Sequence, residues 1–277
     1  MLIQPIVRIL LAVAVFISLS GTLYAESASQ PRVVYVAAYE FPPYFSTRES
    51  QDLTSVLVAQ LNQRQSQFQF VIREIRPSER YQAVSPTGCC DILFFEAPQW
   101  GWPQSRDYIW GSELNTGTER FYALKERIES GEVSFNTQGV QCVGGVLGYH
   151  YEFASFKTDR STLEVDYNLY TTDTPGSLLQ MLDRERIELA LLNDEFVKWR
   201  QHLGQVSALA LIGADIPDHH YHTRYVLKRS GLLAPSFIDN LLQDMFDEGL
   251  LQHLFADFNI SDSLYFGNTA PCAHSHQ

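Results

Sequence analysis

Long apolar runs are nearly absent from this sequence. One stands out, from Ile9 to Leu19. It is about half of the ~20 residues that a membrane-spanning helix needs. Basic residues are also scarce: 20 Lys and Arg stand against 32 Asp and Glu, a net charge of −12. A nucleic-acid partner wants basic faces, so this balance argues against one. The familiar catalytic and cofactor signatures are missing. There is no GxSxG, no P-loop, no GxGxxG, no HExxH and no CxxC. "VGGVLGYH" (143–150) is glycine-rich, yet it lacks the dinucleotide spacing and its acidic follower. No repeat, coiled coil or low-complexity tract is present, and no cofactor is expected.

What is present begins with a leader. "MLIQPIVRILLAVAVFISLSGTLYA" has one basic residue, Arg8, then the short apolar run, then small and polar residues ending at Ala25. That order reads as a secretory signal peptide over 1–25, with export to the periplasm. No cysteine follows the run to carry a lipid anchor. The remaining chain of about 250 residues exceeds the usual single core, so two lobes are expected.

The body alternates element types. "RVVYVAAY" (32–39) reads as a strand. "DLTSVLVAQLNQ" (52–63) puts Leu53, Val56, Leu57 and Leu61 on one helical stripe. "FQFVIREI" (68–75) alternates like a half-buried strand, "RPSERYQAV" suits one or two helical turns, and "DILFF" (91–95) reads as a buried strand. This is the pattern of a parallel α/β sheet. A second unit follows, with a strand at 140–148, a helix at 177–188 and a strand at 189–193. A strand at 224–229 and one or two helices over 236–258, broken near Gly249, complete it.

The order of these segments resembles the type II periplasmic substrate-binding proteins, and specifically the family 3 solute-binding proteins of polar amino-acid ABC transporters. The resemblance spans 32–258 and rests on the ordered set: "YEFPPYFS" (39–46), "CDILFF", the linker strand "RFYALKE" (120–126), "VGGVLGYHYE", "LLQMLDRERIELALLND" and "TRYVLKRS". It implies an α/β fold of two lobes joined by two crossover strands: lobe 1 over 32–122 and 224–262, lobe 2 over 123–223, and a tail over 263–277. Hinge motion near 120–126 and 222–228 would close the lobes on a small solute.

The resemblance also implies a site, because ligands of open α/β sheets bind beyond the carboxyl ends of the strands. Tyr39, Phe41 and Tyr44 lie in the first such loop, where the family stacks an aromatic on the ligand. The run "DILFFEAPQWGWPQSRD" (91–107) puts Glu96, Trp100 and Trp102 in the next, with one of the two tryptophans expected to line the cleft. Pro103 falls near the position of the family's carboxylate-gripping arginine. Arg106, three residues late, is either its substitute or a solvated charge. Tyr149 and His150 stand where the family offers a hydroxyl at a helix start. Asn193 maps to the amine-binding aspartate, with Asp194 beside it. A carboxylate at 96 without an assured arginine favours a cationic or polyhydroxyl solute.

Four cysteines in an oxidising compartment suggest a disulfide. The family's topology brings Cys272 back to the first lobe. Cys272 is therefore expected to pair with Cys89 or Cys90, with Cys142 free and a Cys89–Cys90 bond as the second choice. "DHHYH" (218–222) reads as a polar hinge or surface turn rather than a metal site, and no metal is expected. The leading function is a monomeric periplasmic solute-binding protein serving an ABC permease or a sensor. Two alternatives stand beside it: a lyase of the cyclohexadienyl dehydratase kind, with Glu96, His150 or Asp194 as acid or base, and a signalling protein that has lost its ligand.

Overall fold

A computed structural model describes residues 30–136, 142–205, 208 and 210–267. The leader (1–25) and Cys272 lie outside the described residues. Nine strands form one sheet in the order β2-β1-β3-β9-β4-β7-β5-β6, with β8 paired to β4. The first half holds β1 (Arg32–Ala38), α1 (Leu53–Arg64), β2 (Phe68–Glu74), α2 (Arg80–Ala83) and β3 (Ile92–Glu96). Strands β1, β2 and β3 are parallel. Helix α1 starts where Asp52 accepts the Ser55 N–H at 2.8 Å, which satisfies one of the free amides of the first turn. Its buried stripe of Leu53, Leu57 and Leu61 follows the helical period. Each such leucine contributes about 1.5–3 kcal/mol by leaving water. Every residue of β3 is buried, the continuous apolar pattern of a strand covered on both faces.

The second half holds α3 (Lys125–Glu129), β5 (Val143–Val146), α4 (Arg160–Asp166), β6 (Leu169–Thr172), α5 (Pro175–Asp183), β7 (Leu189–Asn193), α6 (Asp194–His202) and β8 (Leu211–Gly213). Capping explains the helix starts. Asp159, Thr174 and Asn193 each accept an N–H from the turn that follows, and Pro175 occupies the first turn of α5. The helices α7 (Pro235–Asp247) and α8 (Leu250–Asp257) pack back on the first half, where α8 meets α1.

Two long antiparallel strands join the halves: β4 (Tyr108–Leu124) and β9 (His219–Lys228). The sequence suggested only short pieces of each. At one end β9 pairs with β3, and at the other β4 pairs with β7. The expected lobe boundary at 122–123 falls at the end of the stretch of β4, Glu119–Tyr122, that is paired to β7. Register shifts break the ribbon between Trp110 and Asn115. Gly117 leaves room for the Tyr221 ring across the ribbon; a Cβ there would lie 2.1 Å from Tyr221 Cε2. The residues 218–222 belong mostly to this strand, in the ribbon that joins the halves, and of the expected hinge or surface turn they do not form the turn. His219 is buried against Asp218, while His220 and His222 alternate outward. Among the described residues no group of His, Cys, Asp and Glu is arranged to hold a metal. No described helix is long and apolar enough to cross a membrane.

Cys89 and Cys90 are joined to each other at the turn between α2 and β3. With these two bonded together, neither is left for the expected partner Cys272. Cys142 is free.

Candidate functional site

The chain reverses at the ends of β1, β3 and β5, and these loops meet between the two halves. Tyr39 and Phe41 follow β1, Trp100 follows β3, and Tyr149 and His150 follow β5. With Arg80 of α2 and Glu119 of β4 they line a cavity of about 10 Å³, room for no more than one water. Aromatic rings fill most of the cleft. Phe41 meets Trp100 and Tyr149 edge-on, at 5.5 and 5.4 Å between centroids, and Trp100 meets Tyr221 at 4.9 Å. A wider pocket of about 520 Å³ opens beside it, between Glu74–Ser78 and Leu147–Gly148. The small cavity is the better candidate, because unpaired polar atoms belong to its lining.

Arg80 is the cavity's one buried cation, and each of its three nitrogens donates to a protein acceptor. Its Nε donates to the Pro77 carbonyl at 2.7 Å, Nη1 to the Tyr39 hydroxyl at 3.3 Å, and Nη2 to the Gly148 carbonyl across the cleft. The guanidinium also lies 4.8 Å from the Tyr39 ring centre. Glu96 is its counter-ion, with 3.8 Å between Nη1 and Oε2. The β3–β9 ladder slips between Leu93 and Glu96, and Phe95 takes a φ of 61°, a costly conformation for a bulky side chain. Beyond this irregularity Glu96 is completely buried and accepts from Trp102 Nε1 at 3.0 Å. Burial pushes the Glu96 carboxyl above the usual range, against the pull of Arg80 and of hydrogen bonds from Tyr39 and Trp102.

Glu119 is different. Burial, then the nearby carboxylates Asp218, Glu195 and Asp194, push its carboxyl well above the usual range. Its Oε1 has no hydrogen-bond partner. His150 is also buried, and its Nδ1 has no partner. Its Nε2 lies 3.2 Å from the Tyr81 hydroxyl. Burial, Arg80 and His219 lower the His150 pKa to about 3, so the ring is neutral at physiological pH.

Five of the sequence-derived candidates therefore meet at the cavity: Tyr39, Phe41, Trp100, Tyr149 and His150. The others do not. Glu96 is sealed one layer behind, as the counter-ion of Arg80. Trp102 packs on Tyr81, Tyr108 and Trp110 and binds Glu96. Tyr44 is fully buried between Phe41 and Phe95, with its hydroxyl accepting from Asn115. Arg106 is an exposed loop residue; its neighbours on the loop are exposed too, so nothing pulls the guanidinium inward. Asn193 caps α6, accepting the Phe196 N–H at 2.6 Å. Asp194 is held by Arg120 at 3.0 Å and by the Tyr122 hydroxyl at 2.7 Å. No α-helix starts at Gly148-Tyr149-His150; a short 3₁₀ turn over Glu152–Ala154 follows. Sequence reasoning missed Arg80 and Glu119. The first sits in a polar stretch that looked like ordinary surface helix. The second lies in an unremarked part of β4, where only cross-strand register reveals its position.

No protein-family model matches the chain, and no curated protein matches it in sequence. Solved structures do match its fold. The substrate-binding protein of an amino-acid ABC transporter aligns at a TM-score of 0.61 and 10% identity, covering 82% of this chain and 98% of the other. An ancestral amino-acid-binding protein, a precursor of cyclohexadienyl dehydratase, aligns at 0.60 and 10%, covering 82% and 95%. The GluR0 ligand-binding core in complex with L-glutamate aligns at 0.59 and 12%, covering 83% and 98%. With the element order and the paired crossover strands, these likenesses establish that the chain has the two-lobed α/β fold of the type II periplasmic substrate-binding proteins.

Proposed function

We propose that this protein is an exported solute-binding protein. It closes on a small polar solute between its lobes and offers the closed form to a membrane partner, an ABC permease or a sensor. One observation carries the reading. Glu119 Oε1 and His150 Nδ1 are buried without partners, and both residues line the interlobe cavity. Buried polar atoms are nearly always paired, so two orphans in one cleft mark a place where a solute completes the bonding. The fold supports this reading, since the similar structures include amino-acid-binding proteins.

The closed form is held by the protein's own cross-cleft contacts. Arg80 reaches the Gly148 carbonyl, Tyr149 donates to the Glu40 carbonyl at 2.6 Å, and Lys198 pairs with Asp262 at 2.6 Å. Solute entry requires these to part, by hinge motion in the β4–β9 ribbon. A thermal-shift screen against amino acids, amines, sugars and organic acids tests the function. A solute at a hundredfold excess over its Kd stabilises the native state by about 2.7 kcal/mol. If no member of the panel raises the melting temperature, the solute-binding reading fails and a ligand-free signalling role replaces it. A second reading is a lyase on the same scaffold, favoured by Glu119, whose acid form burial stabilises, and the neutral base His150 facing one cavity. Consumption of the stabilising solute would establish that reading; its return unchanged would dismiss it.

A further inference from the structure

We propose that the cleft selects a hydrogen-bond-donating cation, an ammonium or guanidinium group on a solute that carries no carboxylate, with Glu119 as counter-ion and His150 Nδ1 as second acceptor. This deepens the solute-binding reading and rests on it.

Arg80 and Glu96 form a pair, and each nitrogen of Arg80 already donates to a protein acceptor. His150 is neutral. Glu119 is the one remaining ionisable carboxyl on the cavity wall. The groups around it offer no compensation. Asp218 accepts from the Glu152 and Phe153 amides and pairs with His219, which sits opposite Glu119 on β9. Asp194 is taken by Arg120, and Glu195 accepts from Tyr221. Tyr149, Tyr151 and Tyr221 are the other titratable neighbours, and burial keeps all three hydroxyls protonated. Burial and these carboxylates therefore disfavour the charged form of Glu119 in the empty cleft, and an incoming cation favours it.

The tautomer of His150 supplies the second half. The Tyr81 hydroxyl has one proton, and it goes to the Trp100 carbonyl. His150 Nε2 must then donate to the Tyr81 oxygen, which leaves Nδ1 as a bare acceptor. Once ionised, Glu119 joins His150 Nδ1 as a second unpaired acceptor, and the two call for a solute with N–H donors. The rings of Phe41, Trp100 and Tyr149 suit a cation on their faces. On the wall of this cavity a carboxylate on the same solute would find no unpaired cation, because Arg80 is paired with Glu96, while Arg48, Arg76 and Arg160 line the wider pocket beside it.

Thermal shift with the unmodified protein at pH 7.5 or so tests this directly. The probes are putrescine and agmatine, their α-carboxylated counterparts ornithine and arginine, the quaternary ion choline, and neutral glycerol. Putrescine or agmatine should stabilise the protein, with ornithine, arginine, choline and glycerol much weaker. Calorimetry in two buffers of different ionisation enthalpy should show about one proton released per cation bound. Glu119→Gln should weaken binding on the order of 10- to 100-fold and abolish the proton release. Preference for the amino acids, for choline or for glycerol would overturn this inference while leaving solute binding intact. Silence across the wider screen above would overturn both. The panel and the proton count need no variant, so they decide the matter even if Glu119→Gln does not fold.

Discussion

Replacing Glu96 by Gln removes one charge from a buried pair and leaves the other. Glu96 is completely buried and Arg80 is 2% exposed, so water cannot take over the lost partner. Breaking such a pair costs about 3–5 kcal/mol, because a buried charge is left uncompensated. Arg80 retains the Pro77 and Gly148 carbonyls, the Tyr39 hydroxyl and the Tyr39 ring. The amide oxygen of Gln also still accepts from Trp102. The lower end of the range, ~3 kcal/mol, is therefore expected. For a domain of this size that is a fall of about 6–12 °C in Tm. The assay is reversible melting of Glu96→Gln, Arg80→Met and the double variant. The double variant should be less damaged than the two single losses added together, by about 0.5–3 kcal/mol of coupling. A Glu96→Gln protein melting within about 2 °C of the parent would refute the compensated pair and return Glu96 to the list of solute contacts.

Stability should depend on pH in a stated direction. Burial raises the Glu195 carboxyl from 4.5 to about 8, so its contribution is full below 4.5 and is lost as pH rises to about 8. His150, lowered from 6.5 to about 3, acts oppositely: its contribution is full above 6.5 and is lost as pH falls toward 3. The two offset each other between 4.5 and 6.5. Above 6.5 only the carboxyls act, so stability should fall by about 1.4 kcal/mol per pH unit for Glu195 alone, and Glu195→Gln should flatten that limb in melts from pH 6.5 to 8. Asn193→Ala should cost about 0.5–2 kcal/mol through the lost cap of α6. Arg106→Ala should move both stability and solute affinity by less than about 0.5 kcal/mol; a large loss of affinity would bring Arg106 back as a clamp. Gly148→Ala should favour the open form, seen as a larger radius of gyration in X-ray scattering. Its φ is +86°, and a Cβ there lies 3.0 Å from Pro77 Cβ across the cleft. An unchanged radius would show that closure does not need this contact.

The sequence by itself determined the α/β alternation. The stripe of Leu53, Leu57 and Leu61, the buried runs "ILFF" and "LALL", and the break at Gly249 all express local periodicity, and periodicity is local information. Five of the seven residues of the cavity wall were legible too, because Tyr39, Phe41, Trp100, Tyr149 and His150 stand at or soon after the ends of predicted strands, and strand ends face the cleft. Polar identity was a poorer guide. Asn193 was spent on capping α6 and Asp194 on holding Arg120, and both uses depend on a helix start that the residue pattern did not announce. Glu96 was drawn inward by a partner sixteen positions earlier, Arg80, whose guanidinium crosses from one lobe to the other. Glu119 came to line the cavity only through the register of a seventeen-residue strand. Charge pairing and desolvation are set by neighbours far apart in the chain. The tertiary structure alone therefore decided that Glu96 is paired with a cation and that Glu119 lines the cavity without one.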